Sequence, residues 1–134
     1  MQARALLADD DMSKDLLAEF LAVYNLHIDL CETGLEACTL ARKNNYDIIF
    51  MDISMPDMNG LDATRYIREH LPSEQQPIII ASTGNEVITR KGKEQLFMSG
   101  FNDYIFKPYS QQAVIDVVND NLLGAEDLLQ ADNN

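Results

Sequence analysis

Cysteine and histidine are scarce in this sequence, and neither forms a recognisable metal-binding pattern. The two cysteines, Cys31 and Cys38, lack the CxxC spacing of zinc and redox sites, and the two histidines, His27 and His70, are isolated from each other. Thiols without such partners are usually buried apolar groups. We therefore interpret the cysteines as core residues and the histidines as ordinary core or surface residues.

Basic residues are also few. The chain has 10 lysines and arginines against 22 aspartates and glutamates, which gives a formal net charge of −12 at pH 7. Such a charge repels nucleic acid phosphates and anionic membranes. The densest basic stretch, residues 89–95, is short and interrupted by Gly92, unlike the basic face of a DNA-binding element. We expect no direct binding of nucleic acid or membrane.

Long apolar runs are absent as well. Hydrophobic residues make up 46% of the 134 residues, but they form short clusters, far below the length that crosses a bilayer. No cationic leader with an apolar segment precedes the first cluster. The length suits one domain with its own core. We expect a soluble, cytoplasmic domain.

Short strand-like runs alternate with helix-like periodicity five times along the chain. The predicted strands are residues 4–8, 26–30, 47–52, 77–82 and 103–106. The predicted helices are residues 12–24, 33–44, 61–71, 88–99 and 110–123. Gly124 ends the last helix, so residues 1–123 form the predicted domain. Residues 124–134 are an acidic tail that we expect to fray or to lead into a linker.

The middle strands are apolar throughout, as strands covered on both faces are. Five strands that alternate with five helices predict an α/β fold with a parallel sheet and right-handed crossovers. In such open sheets the ligand crevice lies beyond the carboxyl ends of the strands. Polar residues end or follow four of the predicted strands, namely Asp9, Asp10, Asp52, Ser82, Thr83 and Lys107. We expect these side chains to meet at one edge of the sheet.

These residue types indicate a site for phosphoryl chemistry. Crowded carboxylates disfavour one another's ionised forms and need a cation. An oxygen-only ligand set suits Mg²⁺ better than a closed Ca²⁺ cage. Lys107 can pair with a carboxylate or a phosphoryl oxygen, and Ser82 offers a hydroxyl donor. Together they can hold a phosphoryl group on an aspartate, because phosphoryl transfer mainly requires positioning and charge neutralisation.

Four motifs, in this order, give the sequence a family resemblance. "LLADDD", "DIIFMDISMPDMNGLDA", "PIIIAST" and "DYIFKP" lie within residues 4–123. With this spacing the chain resembles the receiver domains of two-component response regulators. The stretch "MPDMNGLDATRYIRE" resembles receivers attached to hybrid histidine kinases more than those joined to DNA-binding domains. The resemblance implies a flavodoxin-like (βα)5 fold with strand order 2-1-3-4-5.

The resemblance also implies a role for each site residue. Asp52 would accept the phosphoryl group, and Asp9, Asp10, Asp52 and the Ser54 backbone carbonyl would hold Mg²⁺, with Mn²⁺ as a substitute. Ser82 and Lys107 would bind the phosphoryl oxygens. Asp11 matches a variable acidic neighbour, not a ligand. The Lys107–Pro108 peptide is expected to be cis.

Signalling through a receiver implies partners on both sides of the phosphoryl transfer. A histidine kinase or histidine phosphotransfer protein would donate the group. The domain would catalyse its own phosphorylation and slow dephosphorylation, without being a conventional enzyme. Tyr104 matches the aromatic ring that reports phosphorylation, and we expect it to move from exposed to buried. An effector or adjoining domain would then dock on the face of helix four, strand five and helix five, including Phe106 and Tyr109.

The sequence departs from the commonest family pattern in three places. Asn59 stands where Asp is frequent, which that turn tolerates. Thr83 occupies a position that is usually small, so its bulk is expected to restrict access to the pocket. The segment between Ser82 and Tyr104 is longer than usual, and residues 84–93 within it are expected to be mobile.

Other functions fit parts of the same sequence. A receiver-like docking module would act without phosphorylation, but such modules commonly lose an acid of the pair or the lysine. A flavin binder would need a Ser-, Thr- and Gly-rich loop where "DDDMSK" stands, and an aspartyl phosphohydrolase would need an acid at Ser54. Asp9 and Asp10 alone also suit a solvated helix N-terminus, and Asp52, Lys107 and Tyr104 could be a turn residue, a surface charge and an edge-strand aromatic. One phosphoryl site explains all of these positions together.

Overall fold

The computed structural model of the chain describes residues 2–84 and 89–130, in which five strands alternate with five helices. The strands are β1 (Ala3–Ala8), β2 (Leu26–Cys31), β3 (Ile48–Asp52), β4 (Ile78–Thr83) and β5 (Asp103–Phe106). The helices are α1 (Ser13–Leu21), α2 (Gly34–Lys43), α3 (Gly60–His70), α4 (Arg90–Ser99) and α5 (Gln111–Asn121). Within the described residues, no helix has the length and apolar character needed to span a membrane.

The strands form one parallel sheet in the order β2-β1-β3-β4-β5. This order confirms the predicted doubly wound fold. The chain moves outward from β1 to β2 and then returns to the other side of β1, so the strand order reverses between β1 and β3. The carboxyl ends of all five strands lie along one edge of the sheet, called here the carboxyl edge, and their amino ends lie along the opposite amino edge.

The core has two layers, one on each face of the sheet. Every residue of β3 is buried, and its side chains alternate between the faces because a strand has a period of two. Ile49 and Met51 pack in one cluster with residues of α2 and α3, whereas Ile48 and Phe50 pack in the other with residues of α1 and α5. This arrangement explains why the central strands are apolar at successive positions.

Side-chain caps fix where four helices begin. Thr33, Asn59, Thr89 and Ser110 each accept a hydrogen bond from a backbone N–H in the first turn of α2, α3, α4 and α5, respectively. The predicted capping box at Thr33 is formed in part, because the Glu36 carboxylate accepts from the Glu32 N–H and not from that of Thr33.

Two predicted boundaries differ from the structure. Helix α1 ends at Leu21 and not at Tyr24, which instead forms an isolated antiparallel bridge with Leu129. The sequence predicts that residues 124–134 fray or lead into a linker, yet Ala125 is buried and the Gln130 N–H donates to the Val23 carbonyl at 2.9 Å. The tail therefore packs, as far as residue 130, against the segment that follows α1. The division of the chain at residue 123 stays a prediction.

Helix α4 begins at Arg90, two residues after its predicted start. The mobility predicted for residues 84–93 falls partly on residues 85–88, which lie outside the described residues.

Candidate functional site

Polar side chains gather at the carboxyl edge of the sheet. Asp9 directly follows β1, Asp52 ends β3, and Lys107 directly follows β5. Ser82 lies near the end of β4, where it is paired with Asp52 of the neighbouring strand. A cleft of about 340 Å³ opens here, and its walls are formed by Asp10, Asp11, Asp52, Ile53, Ser54, Thr83, Gly84 and Lys107. The structure thus brings together the residues that the sequence predicted at this edge.

The loop after β3 holds the Asp52 carboxylate in place. The Ser54 N–H donates to Asp52 Oδ1 at 3.1 Å. The Gly60 N–H donates to the Ile53 carbonyl at 2.9 Å, which brings the start of α3 against the end of β3. A Cβ atom on residue 60 would collide with the Asp52 backbone carbonyl, so only glycine permits this close approach.

One ammonium group faces three carboxylates in the site. Lys107 Nζ lies 2.8 Å from Asp9 Oδ2, 3.3 Å from Asp11 Oδ2 and 3.4 Å from Asp52 Oδ2. Asp9 and Asp52 are only 3% and 6% exposed. Sequence reasoning missed the contact of Asp11 with Lys107, because nothing in the motif distinguishes Asp11 from a solvated neighbour of the acidic pair.

The balance of charge shifts the pKa values of these groups in different directions. Burial raises the pKa of Asp52 to about 6, and the Asp9 carboxylate adds to this rise against the opposing effects of the Ser54 N–H and Lys107. Despite desolvation, the pKa of Asp11 falls to about 2, because Ser13 and Lys107 stabilise its ionised form. The pKa of Lys107 is raised despite its burial, because Asp9 and Asp52 stabilise its ammonium form. The site therefore carries excess negative charge where it is most buried.

The donor set of the site fits a hard divalent cation. Asp9, Asp10 and Asp52 each offer a carboxylate oxygen, and these atoms lie within 4.8 Å of one another. The Asp9 Oδ2 atom is buried and has no hydrogen-bond donor at a suitable angle among the described residues, although the Lys107 ammonium is close. Carboxylate oxygens without imidazole or thiolate are ligands that suit Mg²⁺. The cluster can therefore hold a metal ion of this kind.

The Ser82 hydroxyl contacts a tyrosine that sequence reasoning did not assign to the site. Ser82 Oγ lies 2.8 Å from Tyr109 Oη, and both residues are buried. The sequence predicts a docking face that includes Tyr109, but the ring of this residue is buried in the core beside α5 and is not available to a partner. Its position two residues after Lys107, in "KPYS", is the only sequence signal that places it near the site.

The remaining predicted residues also lie on or beside this edge. Tyr104 is half-buried on β5, with its ring 5.4 Å from that of Phe106, which is 39% exposed. Thr83 is buried and lines the cleft. The Lys107–Pro108 peptide is cis, as predicted.

Comparisons with known proteins agree with this geometry. The family model of the response regulator receiver domain matches residues 5–119. The chain is 35% identical over 104 residues to the signal transduction histidine-protein kinase BarA of Escherichia coli (strain K12), a match that covers 78% of this chain and 11% of BarA. It is 36% identical over 111 residues to the transcriptional regulatory protein SrrA of Staphylococcus aureus, which covers 80% of this chain and 42% of SrrA.

A solved structure extends the similarity to three dimensions. The receiver domain of the sensor histidine kinase PA1611 from Pseudomonas aeruginosa, solved with a magnesium ion in its active site cleft, superposes with a TM-score of 0.77 at 26% identity. The alignment covers 90% of this chain and 97% of that one. The chain spans less than half of each of the two relatives above, which are longer proteins. With its motifs in order, its sheet wound 2-1-3-4-5 and a family model matched over most of its length, the chain belongs to the response regulator receiver domains of two-component signalling.

Proposed function

We propose that Asp52 is the phosphoacceptor of this receiver domain. One oxygen of its carboxylate would bond to phosphorus while the phosphorus–nitrogen bond of a phosphohistidine breaks, and the imidazole nitrogen would keep the electron pair. The observation that carries this proposal is the position of Asp52, buried at the end of β3, at the base of the cleft and 3.4 Å from Lys107. A histidine kinase or a histidine phosphotransfer protein is the proposed donor.

Receiver domains bind Mg²⁺ at an acidic pocket, and the acidic cluster of this chain supports the same assignment. Asp9, Asp10 and Asp52, with the backbone carbonyl of Ser54, are the proposed ligands, for Mg²⁺ or for Mn²⁺ in its place. When bound, the ion supplies positive charge between the carboxylates and the incoming phosphoryl oxygens. Without this charge, an anionic donor would meet three carboxylates and one ammonium group.

Lys107 and Ser82 would bind oxygens of the transferred group. Lys107 contacts the carboxylates in the structure, and its ammonium can follow the negative charge to a phosphoryl oxygen. Ser82 is paired with Asp52 on the neighbouring strand, which would let its hydroxyl reach the transferred group. Thr83 lines the same cleft and would restrict which donors reach it.

The test of this function is mass spectrometry of the chain after incubation with acetyl phosphate. We expect a phosphoryl adduct in Mg²⁺ that is absent in Asp52→Asn and in excess chelator. The Asp62→Asn variant, which changes an exposed carboxylate on α3, is the matched control and should be phosphorylated normally. An adduct that forms equally well without divalent metal contradicts the proposed site, and a complete lack of adduct favours a docking module that acts without phosphorylation.

The proposed output is a change on the face of α4, β5 and α5. Receiver domains interact with effector domains as well as with their donors. A phosphoryl group that draws the Ser82 hydroxyl inward would open space for the ring of Tyr104, which is half-buried on the next strand. Because a ligand biases two states only by its differential affinity, the partner and the phosphoryl group should strengthen each other's binding by about 1–3 kcal/mol.

Backbone amide shifts on adding Mg²⁺ and beryllofluoride, a phosphoryl mimic, test this output. We expect changes near Asp9 and Asp52 that extend into residues 89–106. Changes confined to the carboxylates would mean that phosphorylation is read out elsewhere on the domain.

A further inference from the structure

The contact between Ser82 and Tyr109 joins two hydroxyl groups inside the domain. Ser82 is 2% exposed and Tyr109 is 7% exposed, and their oxygens are 2.8 Å apart. Both ends of the contact belong to packed elements, because Ser82 lies on an inner strand of the sheet and Tyr109 directly precedes Ser110, the cap of α5. The packing of the two elements therefore fixes the geometry in which the two hydroxyls meet.

The chemistry of the two groups indicates which one donates. Burial raises the pKa of Tyr109 to about 12, so its hydroxyl keeps its proton at neutral pH. Among the described residues, Ser82 Oγ is the hydrogen-bond partner that the structure gives to this hydroxyl. If Ser82 donated instead, the Tyr109 proton would be buried without an acceptor there, which is costly. Donation by Tyr109 leaves the Ser82 proton available, because a hydroxyl can donate one bond while it accepts another.

The Ser82 hydroxyl proton, which the contact with Tyr109 leaves available, can donate a hydrogen bond to a group carried by Asp52. Asp52 and Ser82 are register partners on adjacent parallel strands, so their side chains leave the sheet beside each other. A phosphoryl group on Asp52 would bring anionic oxygens to the Ser82 hydroxyl. A hydroxyl whose lone pair is already engaged by Tyr109 is oriented in advance and loses less rotational freedom on binding.

We propose that Tyr109 is a positioning residue for the phosphoryl group, since its hydroxyl donates to Ser82 Oγ and directs the Ser82 proton at a phosphoryl oxygen. This inference rests on the proposed role of Asp52. The ring of Tyr109 fills core space in the cluster on the α1 and α5 side of the sheet, which a phenylalanine ring would also do. The hydroxyl is therefore the part of the residue that acts on the site.

The first test measures the affinity of beryllofluoride in Mg²⁺ by calorimetry. Because it loses one hydrogen bond, the Tyr109→Phe variant should bind beryllofluoride roughly 3- to 10-fold more weakly than the unmodified chain. Tyr46→Phe is the matched control, because it removes another tyrosine hydroxyl from a buried residue, one that donates to Asp29 away from the site. It should leave the affinity unchanged.

A double-mutant cycle separates positioning from a general loss of packing. In the Ser82→Ala background, Tyr109→Phe should have no further effect on beryllofluoride affinity, because the hydroxyl acts through Ser82. An equal loss in both backgrounds would overturn the proposal. Tighter binding by Tyr109→Phe would also overturn it, because Tyr109 would then compete with the phosphoryl group for Ser82.

The second test needs neither metal nor phosphoryl mimic. The exchange rate of the Tyr109 hydroxyl proton can be read from the deuterium isotope shift on its labelled ring carbon. We expect slow exchange in the unmodified chain and fast exchange in Ser82→Ala, and equal rates would overturn the inference. If the unmodified chain failed to bind beryllofluoride at all, the proposed function would fail, whereas this measurement would still decide whether Tyr109 donates to Ser82.

Discussion

The charged side chains near the two edges of the sheet differ in how well their neighbours balance them. Towards the amino edge, Tyr46 just before β3 and Arg4 near the start of β1 donate hydrogen bonds to Asp29 of β2, at 2.6 Å and 3.2 Å. Although partial burial would raise the pKa of Asp29, these donors and the nearby His27 lower it. The carboxylate is thus more stable ionised in the folded chain than in the unfolded chain.

Arg68 at the amino edge also has several hydrogen-bond partners. Its guanidinium donates to the Gly100 carbonyl at 2.9 Å, to Gln76 Oε1 and the Pro77 carbonyl at 2.7 Å, and to Asn102 Oδ1 at 2.8 Å. These groups precede β4 and β5, so one side chain at the end of α3 ties the starts of two strands together. A planar group with several donors is suited to this role.

The carboxyl edge has no comparable balance. There, one ammonium group is shared by three carboxylates, and the pKa of Asp52 rises to about 6 where that of Asp29 falls. Folding alone does not favour such a cluster, but the proposed binding of a cation and a phosphoryl group would. The pairing near the amino edge therefore contributes to stability, whereas the excess carboxylates at the carboxyl edge suit a cationic ligand.

The largest expected effect is at Arg68. Arg68→Met should lower the free energy of unfolding by about 2–3 kcal/mol, because it removes the donor from the buried Pro77 carbonyl and from the half-buried Gly100 and Gln76 oxygens at once. Urea unfolding measures this change. Arg65→Met on the same helix is the control, since the Arg65 ion pair with Asp62 is about half exposed, and it should change stability by less than about 0.5 kcal/mol. Equal losses in the two variants would contradict the role of Arg68.

At the carboxyl edge we expect a substitution that stabilises. In metal-free buffer at pH 7.5, Asp52→Asn should raise the free energy of unfolding by about 1–2 kcal/mol, because the folded state raises the pKa of Asp52 from 3.8 to about 6. A raised carboxyl pKa opposes folding only when the group is ionised. The gain should therefore be complete above pH 6, shrink as the pH falls from 6 to 4, and vanish below.

Saturating Mg²⁺ provides the control for this second prediction. The ion should stabilise the unmodified chain more than Asp52→Asn and so remove or reverse the difference. If Asp52→Asn is less stable than the unmodified chain in chelator, the ionised Asp52 carboxylate does not destabilise the folded state.

The fold could be predicted from the sequence because its signals are local. The five apolar runs, the caps at Thr33 and Ser110 and the turn before Gly60 each act within a few residues, and all of them indicate the same fold. The end of α1 could not be predicted in this way, because Tyr24 leaves the helix to pair with Leu129, more than a hundred residues away in the chain.

For the site as well, the sequence predicts some features and not others. Asp9, Asp52, Ser82 and Lys107 could be placed together because parallel strands end at one edge. Their charges could not be assigned, since the sharing of Lys107 with Asp11 and the contact of Ser82 with Tyr109 depend on distances that no motif encodes.

The smallest expected effect is at Asp29, the carboxylate that is paired with Arg4 and Tyr46. Asp29→Asn should lower the free energy of unfolding by about 1 kcal/mol at pH 7, a modest value because the Asp29 side chain is 27% exposed and asparagine can still accept from Tyr46. The folded-state pKa of Asp29 is lowered, so this stability is present above about pH 4 and is lost as the pH falls through the lowered pKa. Thermal unfolding across pH, with Asp62→Asn as an exposed control, measures the change. If Asp29→Asn and Asp52→Asn change the free energy of unfolding with opposite signs, the local pairing of each carboxylate sets its effect on stability. If both changes have the same sign, the excess charge of the whole acidic chain sets it instead.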